Sequence, residues 1–167
     1  GATGMQSSFF EDMVAEVLAL TGEDSPVKVR RVLRNSCMLS SDVSAAYDPL
    51  YPEVFEKKNT AYFGRGLVLN KYTGSRGKNG TSDANAEYVA KVRNVFDNNH
   101  VAFQTAELGK VDQGGGGTIA YVMANKAMSV IDSGVAVLSM HAPYEVTSKS
   151  DVYEVYRGYK AFLKDIK

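Results

Sequence analysis

Cysteine is nearly missing from this chain: Cys37 is the only one in 167 residues. An internal disulfide is thereby excluded, and a reducing, cytoplasmic setting is expected. Net charge is missing too. The 19 Lys and Arg balance the 19 Asp and Glu, which argues against nucleic acid or an anionic membrane as partner, since either calls for a basic excess or patch. The densest basic runs, Lys28-Arg30-Arg31-Arg34 and Lys71-Arg76-Lys78, are short and mixed with polar residues, as solvated faces are. No apolar run is long enough to span a bilayer, and no signal-peptide pattern is present. Two motifs are absent as well. The glycine run Gly114–Gly117 is followed by no Lys-Ser or Lys-Thr, so it is no Walker loop, and it lacks the Gly-x-Gly-x-x-Gly spacing of a dinucleotide site.

What is present suits one folded segment, residues 1–167, with no internal repeat and no linker. Hydrophobic residues make up 44% and charged residues 23%, enough apolar material for a real core. Helical apolar spacing runs from Met5 to Leu20, with Ser8 and Glu11 at capping-box distance and Gly22 as the stop. Val27–Leu33 alternates valine with basic residues and reads as strand or helix. Strands are expected at Ser36–Val43, Gly64–Tyr72 and Val101–Glu107. Two short ones, Val130–Ile131 and Val135–Leu138, are expected about an Asp132-Ser133-Gly134 turn. The polar stretch Thr73–Asn85 reads as a mobile loop. Further helices are expected over Asp83–Phe96, from Thr118 to about Ala127, and over Asp151–Ile166. Strands alternating with helices predict a layered α/β sheet flanked by helices.

Most reactive residues read as structural. Cys37 lies in an apolar run, where thiols are inert. Ser40 and Ser41 match no nucleophile elbow, and His100 sits in a turn. Asp42 and His141 differ. Each follows an apolar strand-like run, so each is expected at a strand end, on the rim where α/β sheets bind ligands. A carboxylate and an imidazole are also the ligand types of a hydrolytic zinc site, so the two are expected close in space. Glu107, Asp112 and Glu145 are further acids near strand ends and read as surface or supporting groups. The glycines before Thr118 let backbone approach a ligand closely, and their N–H groups suit a substrate carbonyl or carboxylate.

Three segments taken together, Ser139-Met140-His141-Ala142-Pro143-Tyr144-Glu145, Ser41-Asp42-Val43-Ser44-Ala45-Ala46 and Gly116-Gly117-Thr118-Ile119, resemble the aspartyl aminopeptidase and vacuolar aminopeptidase I family of di-zinc exopeptidases. Their order and spacing agree with it. Gly4-Met5-Gln6-Ser7-Ser8 resembles the piece just after that family's catalytic Glu-Glu pair. The resemblance implies a zinc-exopeptidase-like catalytic domain of which this chain is the C-terminal portion. It implies Asp42 as a terminal ligand of one zinc and His141 of the other, with Gly116, Gly117 and Thr118 at the substrate. Two zinc ions complete such a site, cobalt and manganese being alternatives. The remaining ligands and the general base, a second glutamate, are implied to precede Gly1, so no catalytic base is expected in this chain. The implied partners are a peptide with a free amino terminus, the upstream half of the same enzyme, and copies of itself in a large homo-oligomer. Ala45 stands where the aspartyl-specific branch has a histidine, so a neutral or apolar first residue is as open as an acidic one. Two rival readings remain: a catalytically inert fragment or paralogue serving as a structural or assembly module, and a small-ligand binder built on Gly114–Gly117.

Overall fold

Two helices open the chain. The computed structural model describes residues 1–76, 79–110, 112–113 and 115–167, so Gly77, Lys78, Val111 and Gly114 lie outside the described residues. The first helix, α1 (Phe9–Leu20), follows the expected apolar spacing but begins later than Met5. The capping box does not form, because the Ser8 hydroxyl donates to the Asp12 carboxylate at 3.1 Å. Gly22 ends the helix. Its N–H bonds the Ala19 carbonyl while the Glu23 N–H bonds that of Leu18, the paired bonds of a Schellman stop. Pro26 then starts α2 (Pro26–Arg34), so the ambiguous stretch Val27–Leu33 is helical. A proline at the first helical position costs no hydrogen bond and presets φ for the turn that follows.

After α2 come β1 (Cys37–Ala45), a 3-10 turn (Pro52–Val54), β2 (Leu67–Asn70), β3 (Tyr72–Ser75), β4 (Asn79–Asp83), α3 (Ala86–Asn98), β5 (Phe103–Thr105), α4 (Ala120–Ala124), β6 (Ser129–Leu138), β7 (Val146–Thr147) and α5 (Lys149–Asp165). The main sheet runs β1-β6-β2-β5, with β7 also on β6. β1 lies parallel to β6, β2 antiparallel to β6, and β5 parallel to β2. The expected α/β layering is therefore present.

Three local expectations change. Thr73–Asn85 is not a loop. Its described residues form the antiparallel hairpin β3–β4, with Tyr72 opposite Asp83 and Thr73 opposite Ser82. Apolar alternation is missing there because the buried positions are hydroxyl residues, Thr73 and Ser82. The two short strands expected about Asp132-Ser133-Gly134 are one continuous strand, β6, with Asp132 and Ser133 buried in its middle. Gly134 serves there by its size, not as a turn: a Cβ on it would lie 1.3 Å from the Asp42 carbonyl oxygen. The helix expected over Asp83–Phe96 starts at Ala86, where the Asn85 side chain accepts from the Tyr88 N–H at 2.7 Å.

One face of the sheet is covered by α3 and α5. Leu67, Leu69 and Ile131 pack there against Val92, Phe96 and Phe162, with Cys37 and Leu39 at the margin. The opposite face carries small residues, Ala46, Ala61, Ala106 and Ala136 around Val68, and a separate group of Val130 with Ala120 and Met123. Asp151, in the first turn of α5, holds that helix to the start of β2: its carboxylate accepts the Gly64 and Gly66 N–H groups at 2.8 Å each. Gly66 is required there, since at φ +85° a Cβ would meet the Ala102 carbonyl oxygen at 2.1 Å. Gly134→Ala is expected to force β1 away from β6 and cost about 2–3 kcal/mol. A lower urea midpoint at unchanged slope would register that loss.

Candidate functional site

Side chains alternate across β1, and the two faces carry different chemistry. Cys37 and Leu39 face the helical core, while Met38 packs with the α4 group. Ser40, Asp42 and Ser44 follow Met38 at period two and so share its face. The parallel register sets Ser40 beside Asp132, Asp42 beside Gly134 and Ser44 beside Ala136. That face of the sheet centre is therefore polar, with two carboxylates.

Asp132 is buried at 4% exposure. One carboxylate oxygen, Oδ2, accepts the Thr73 hydroxyl at 2.8 Å and the Thr118 hydroxyl at 2.9 Å. The other, Oδ1, and the Ser40 and Ser44 hydroxyls are buried without a well-formed hydrogen bond. Burial raises the Asp132 pKa above the ordinary carboxylate value. The Thr118, Thr73 and Ser40 hydroxyls offset part of that rise, Ser40 being near enough to act on the carboxyl though its bond is poorly aligned, and the negative charge of Asp42 adds to it. Thr118 also accepts the Ala120 N–H at 3.2 Å, at the start of α4. Just before it, the Gly116 carbonyl accepts the Gly74 N–H at 3.1 Å, so the glycine stretch rests on the hairpin. Gly115, at φ +81°, passes so near the Leu108 carbonyl that a Cβ would lie 2.9 Å from it. The described part of the run thus reaches the sheet through Thr118, on the face that carries Asp42.

Asp42 itself lies within β1, not at its end, and is exposed. One carboxylate oxygen accepts the N–H of Val43 at 2.8 Å. His141 lies three residues beyond β6 in the turn that leads to β7, with φ +68° and an exposed side chain. Its backbone N–H donates to Glu145, and the Ala142 N–H to the Ser139 carbonyl closes the turn at 2.9 Å. Asp42 is level with Gly134, and the four residues from there to Leu138 span about 13 Å of extended strand. The register therefore does not itself bring the imidazole to the carboxylate. Among the described residues no group of three or more His, Cys, Asp or Glu stands ready to hold a metal ion. The donor types at Asp42 and His141 suit zinc, but two donors do not complete even one site.

At the ends of β1 and β6 lies a small cavity of about 240 Å³ lined by Ala45, Ala46, Asp48, Tyr51, Leu138 and Met140 among others, with neither Asp42 nor His141 in its lining. A larger groove of about 790 Å³ between α1, α2 and the end of α4 includes neither Asp42 nor His141 in its lining. Behind β1, the Tyr159 hydroxyl of α5 donates to the Ser133 carbonyl at 2.7 Å and meets the Ser41 hydroxyl at 2.9 Å. Burial raises its pKa, the two serine contacts lower it, and the Asp42 charge raises it again. Asp132, Thr73 and Tyr159 were not apparent as site residues from the sequence. A charged residue inside the run Val130–Leu138 was the available signal for Asp132, and its reading as a turn hid it.

The Asp132 carboxyl carries a pH consequence. Its raised native pKa means the folded state holds this proton more tightly than the unfolded state does. Stability therefore falls as pH climbs from the ordinary carboxylate range through the raised native value, and the loss persists above it. Asp132→Asn removes that dependence. Urea unfolding at a series of pH values is expected to show the variant gaining on the parent as pH rises above about 4.

Comparison with known proteins now adds to this geometry. Residues 1–163 match the family model described as aminopeptidase I zinc metalloprotease (M18). A probable M18 family aminopeptidase 1 from Clostridium acetobutylicum is 61% identical over 165 residues, covering 99% of this chain but 36% of that relative. The crystal structure of aminopeptidase I from the same organism superposes with a TM-score of 0.87, over 99% of this chain and 35% of its own. The Thermotoga maritima M18 aminopeptidase structure gives a TM-score of 0.92 at 44% identity, over 98% of this chain and 36% of its own. The chain spans little more than a third of the curated relatives it matches. It belongs to the M18 family of aminopeptidase I zinc metalloproteases.

Proposed function

We propose that this chain is one segment of a zinc aminopeptidase, the C-terminal portion of its catalytic domain. The observation that carries this reading is the shared polar face. Within a family described as zinc metalloproteases, Asp42 and the Gly116–Thr118 stretch, far apart in sequence, lie on the same side of the sheet through Asp132. In this reading Asp42 and His141 each give one ligand to one of two metal ions, and Gly116, Gly117 and Thr118 contact the substrate backbone. The substrate is a peptide with a free amino terminus. The cavity beside Met140 is lined mostly by alanine, leucine and aromatic groups, with Asp48 and Ser139 at its wall, and so favours a neutral or apolar first side chain over an acidic one. Zinc, where bound, supplies Lewis acidity toward the first peptide carbonyl. Asp42 is suited to its part because one oxygen is steadied by the Val43 N–H while the side chain stays exposed.

Zinc at a hydrolytic centre takes about three protein ligands, so the others and the general base come from outside these residues. A surface fit for the remainder of the domain supports this. β1 pairs only with β6 among the described strands, which leaves a nine-residue edge open. Beside it, α5 exposes Val152, Tyr156 and Leu163 at helical spacing. We place the upstream half of the enzyme there, and homo-oligomer assembly belongs to the completed protein. Cytoplasmic location remains part of the proposal; among the described residues no helix is long and apolar enough to cross a membrane.

The test is a chimera in which this chain replaces the matching part of the Clostridium relative. It is expected to release a neutral N-terminal residue from a chromogenic amide in a chelator-sensitive way. Asp42→Ala and His141→Ala are each expected to lower that turnover by about 1,000-fold or more, the scale of losing an essential group. The chain alone is expected to bind zinc weakly and to show no turnover. Chelator-sensitive turnover by the chain alone, or none by the chimera, overturns the reading.

A further inference from the structure

A carboxylate in the middle of an apolar strand is costly, and an apolar side chain of similar size would normally be the more stable choice. Asp132 sits between Ile131 and Ser133 at 4% exposure, with Val130 and Ala136 buried nearby on its own face. What it obtains for that cost is specific. A single oxygen takes hydroxyls from two segments that are 45 residues apart, Thr73 of the hairpin and Thr118 beyond the glycines. The two hydroxyls themselves lie 3.4 Å apart. Thr118 accepts from the Ala120 N–H while it donates to Asp132, so its rotor has one setting.

The glycine stretch has few other means of being held. Gly115, Gly116 and Gly117 have no side chains, and the Gly116 carbonyl is tied to the Gly74 N–H, one residue from Thr73. One tie reaches Asp132 directly through Thr118, and the other reaches the strand that Asp132 grips through Thr73. On β6, Asp132 precedes by two residues the Gly134 that stands level with Asp42, a step of about 7 Å on one face. A change in where Thr118 is held changes how far the glycine backbone lies from Asp42.

We propose that Asp132 is a positioning residue. Through Thr73 and Thr118 it fixes the Gly115–Thr118 stretch over the sheet face of Asp42, and so sets where the substrate backbone lies relative to that ligand. The role rests on the aminopeptidase reading above, with Asp42 at the metal and the glycines at the substrate. It differs from catalysis: Asp132 touches no reacting atom and acts through two threonines.

Two measurements test it. In the Clostridium chimera, Thr73→Val and Asp132→Ala are expected to raise KM by about tenfold, the scale of one lost hydrogen bond to a charged group, with bound zinc unchanged and kcat altered far less. Asp132→Asn keeps an oxygen that accepts both hydroxyls and is expected to recover most of the KM lost in the Ala variant. A merely structural role would lower the active fraction, and with it apparent kcat, and leave KM alone. In the chain itself, hydrogen exchange of the Gly74 amide reports the tie to Gly116. It is expected to speed up by about tenfold in Thr118→Val, while the Ile131 and Val137 amides of β6 keep their protection. An active chimera whose KM is unmoved by Asp132→Ala and Thr73→Val overturns the positioning role, and so does unchanged Gly74 exchange. An inactive parent chimera instead overturns the aminopeptidase reading, and the exchange measurement then still decides whether the clamp exists.

Discussion

Gly134 passes so close to the Asp42 carbonyl that no side chain fits between them. From that contact follows the register of β1 on β6, nine paired positions from Cys37 with Ser129 to Ala45 with Val137. A strand register shifted by one residue would turn every side chain to the other face. Here it would drive Ser40, Asp42 and Ser44 into the apolar layer under α3 and α5, and bring Leu39 and Val43 out of it. The pairing thus decides which face is apolar and which is polar, and with it the side on which Asp42 is presented.

The apolar side is secured by more than packing. Two polar groups of α5 reach the sheet from the same helix. Asp151 accepts the Gly64 and Gly66 amides ahead of β2, and Tyr159 binds the Ser133 carbonyl and Ser41 between β6 and β1. Each satisfies groups that burial would otherwise leave costly. Together they hold the helix at two points along its length and fix its rotation on the sheet. The other side is held by Asp132, whose two threonine bonds dock the hairpin and the glycine stretch onto the strand that carries the register. Beside it on β1, Ser40 lies level with Asp132 and adds a hydroxyl to the same polar face.

The sheet is also unfinished in a physical sense. β1, nine residues long, stands at its edge with one side unpaired among the described strands, and long unpaired edges are uncommon in proteins that remain alone. The apolar line on α5 runs beside the same edge, and Tyr159 marks where helix and edge strand meet. The chain matches the M18 family over about a third of its relatives' length.

The places of α1, α3 and α5, the α/β class and the family were legible in the sequence alone, whereas Val27–Leu33 stayed open between strand and helix and the helix expected from Thr118 to about Ala127 is the shorter α4. The first two are local: α1 stops where Gly22 permits a positive φ, and α3 and α5 show apolar residues at period 3.6. The family was legible because short stretches such as Ser139–Glu145 carry unusual residue order. What stayed hidden was decided by pairing between distant segments. Thr73–Asn85 reads as a polar loop until Thr73 finds Asp132, 59 residues away. Asp132-Ser133-Gly134 reads as a turn because Asp, Ser and Gly prefer turns locally; only β1 alongside makes the glycine a matter of space and the aspartate a buried anchor. The same holds for Asp42 and His141. Their residue types are those of metal ligands, but their separation depends on strand register and on the turn after β6, and no local pattern encodes either.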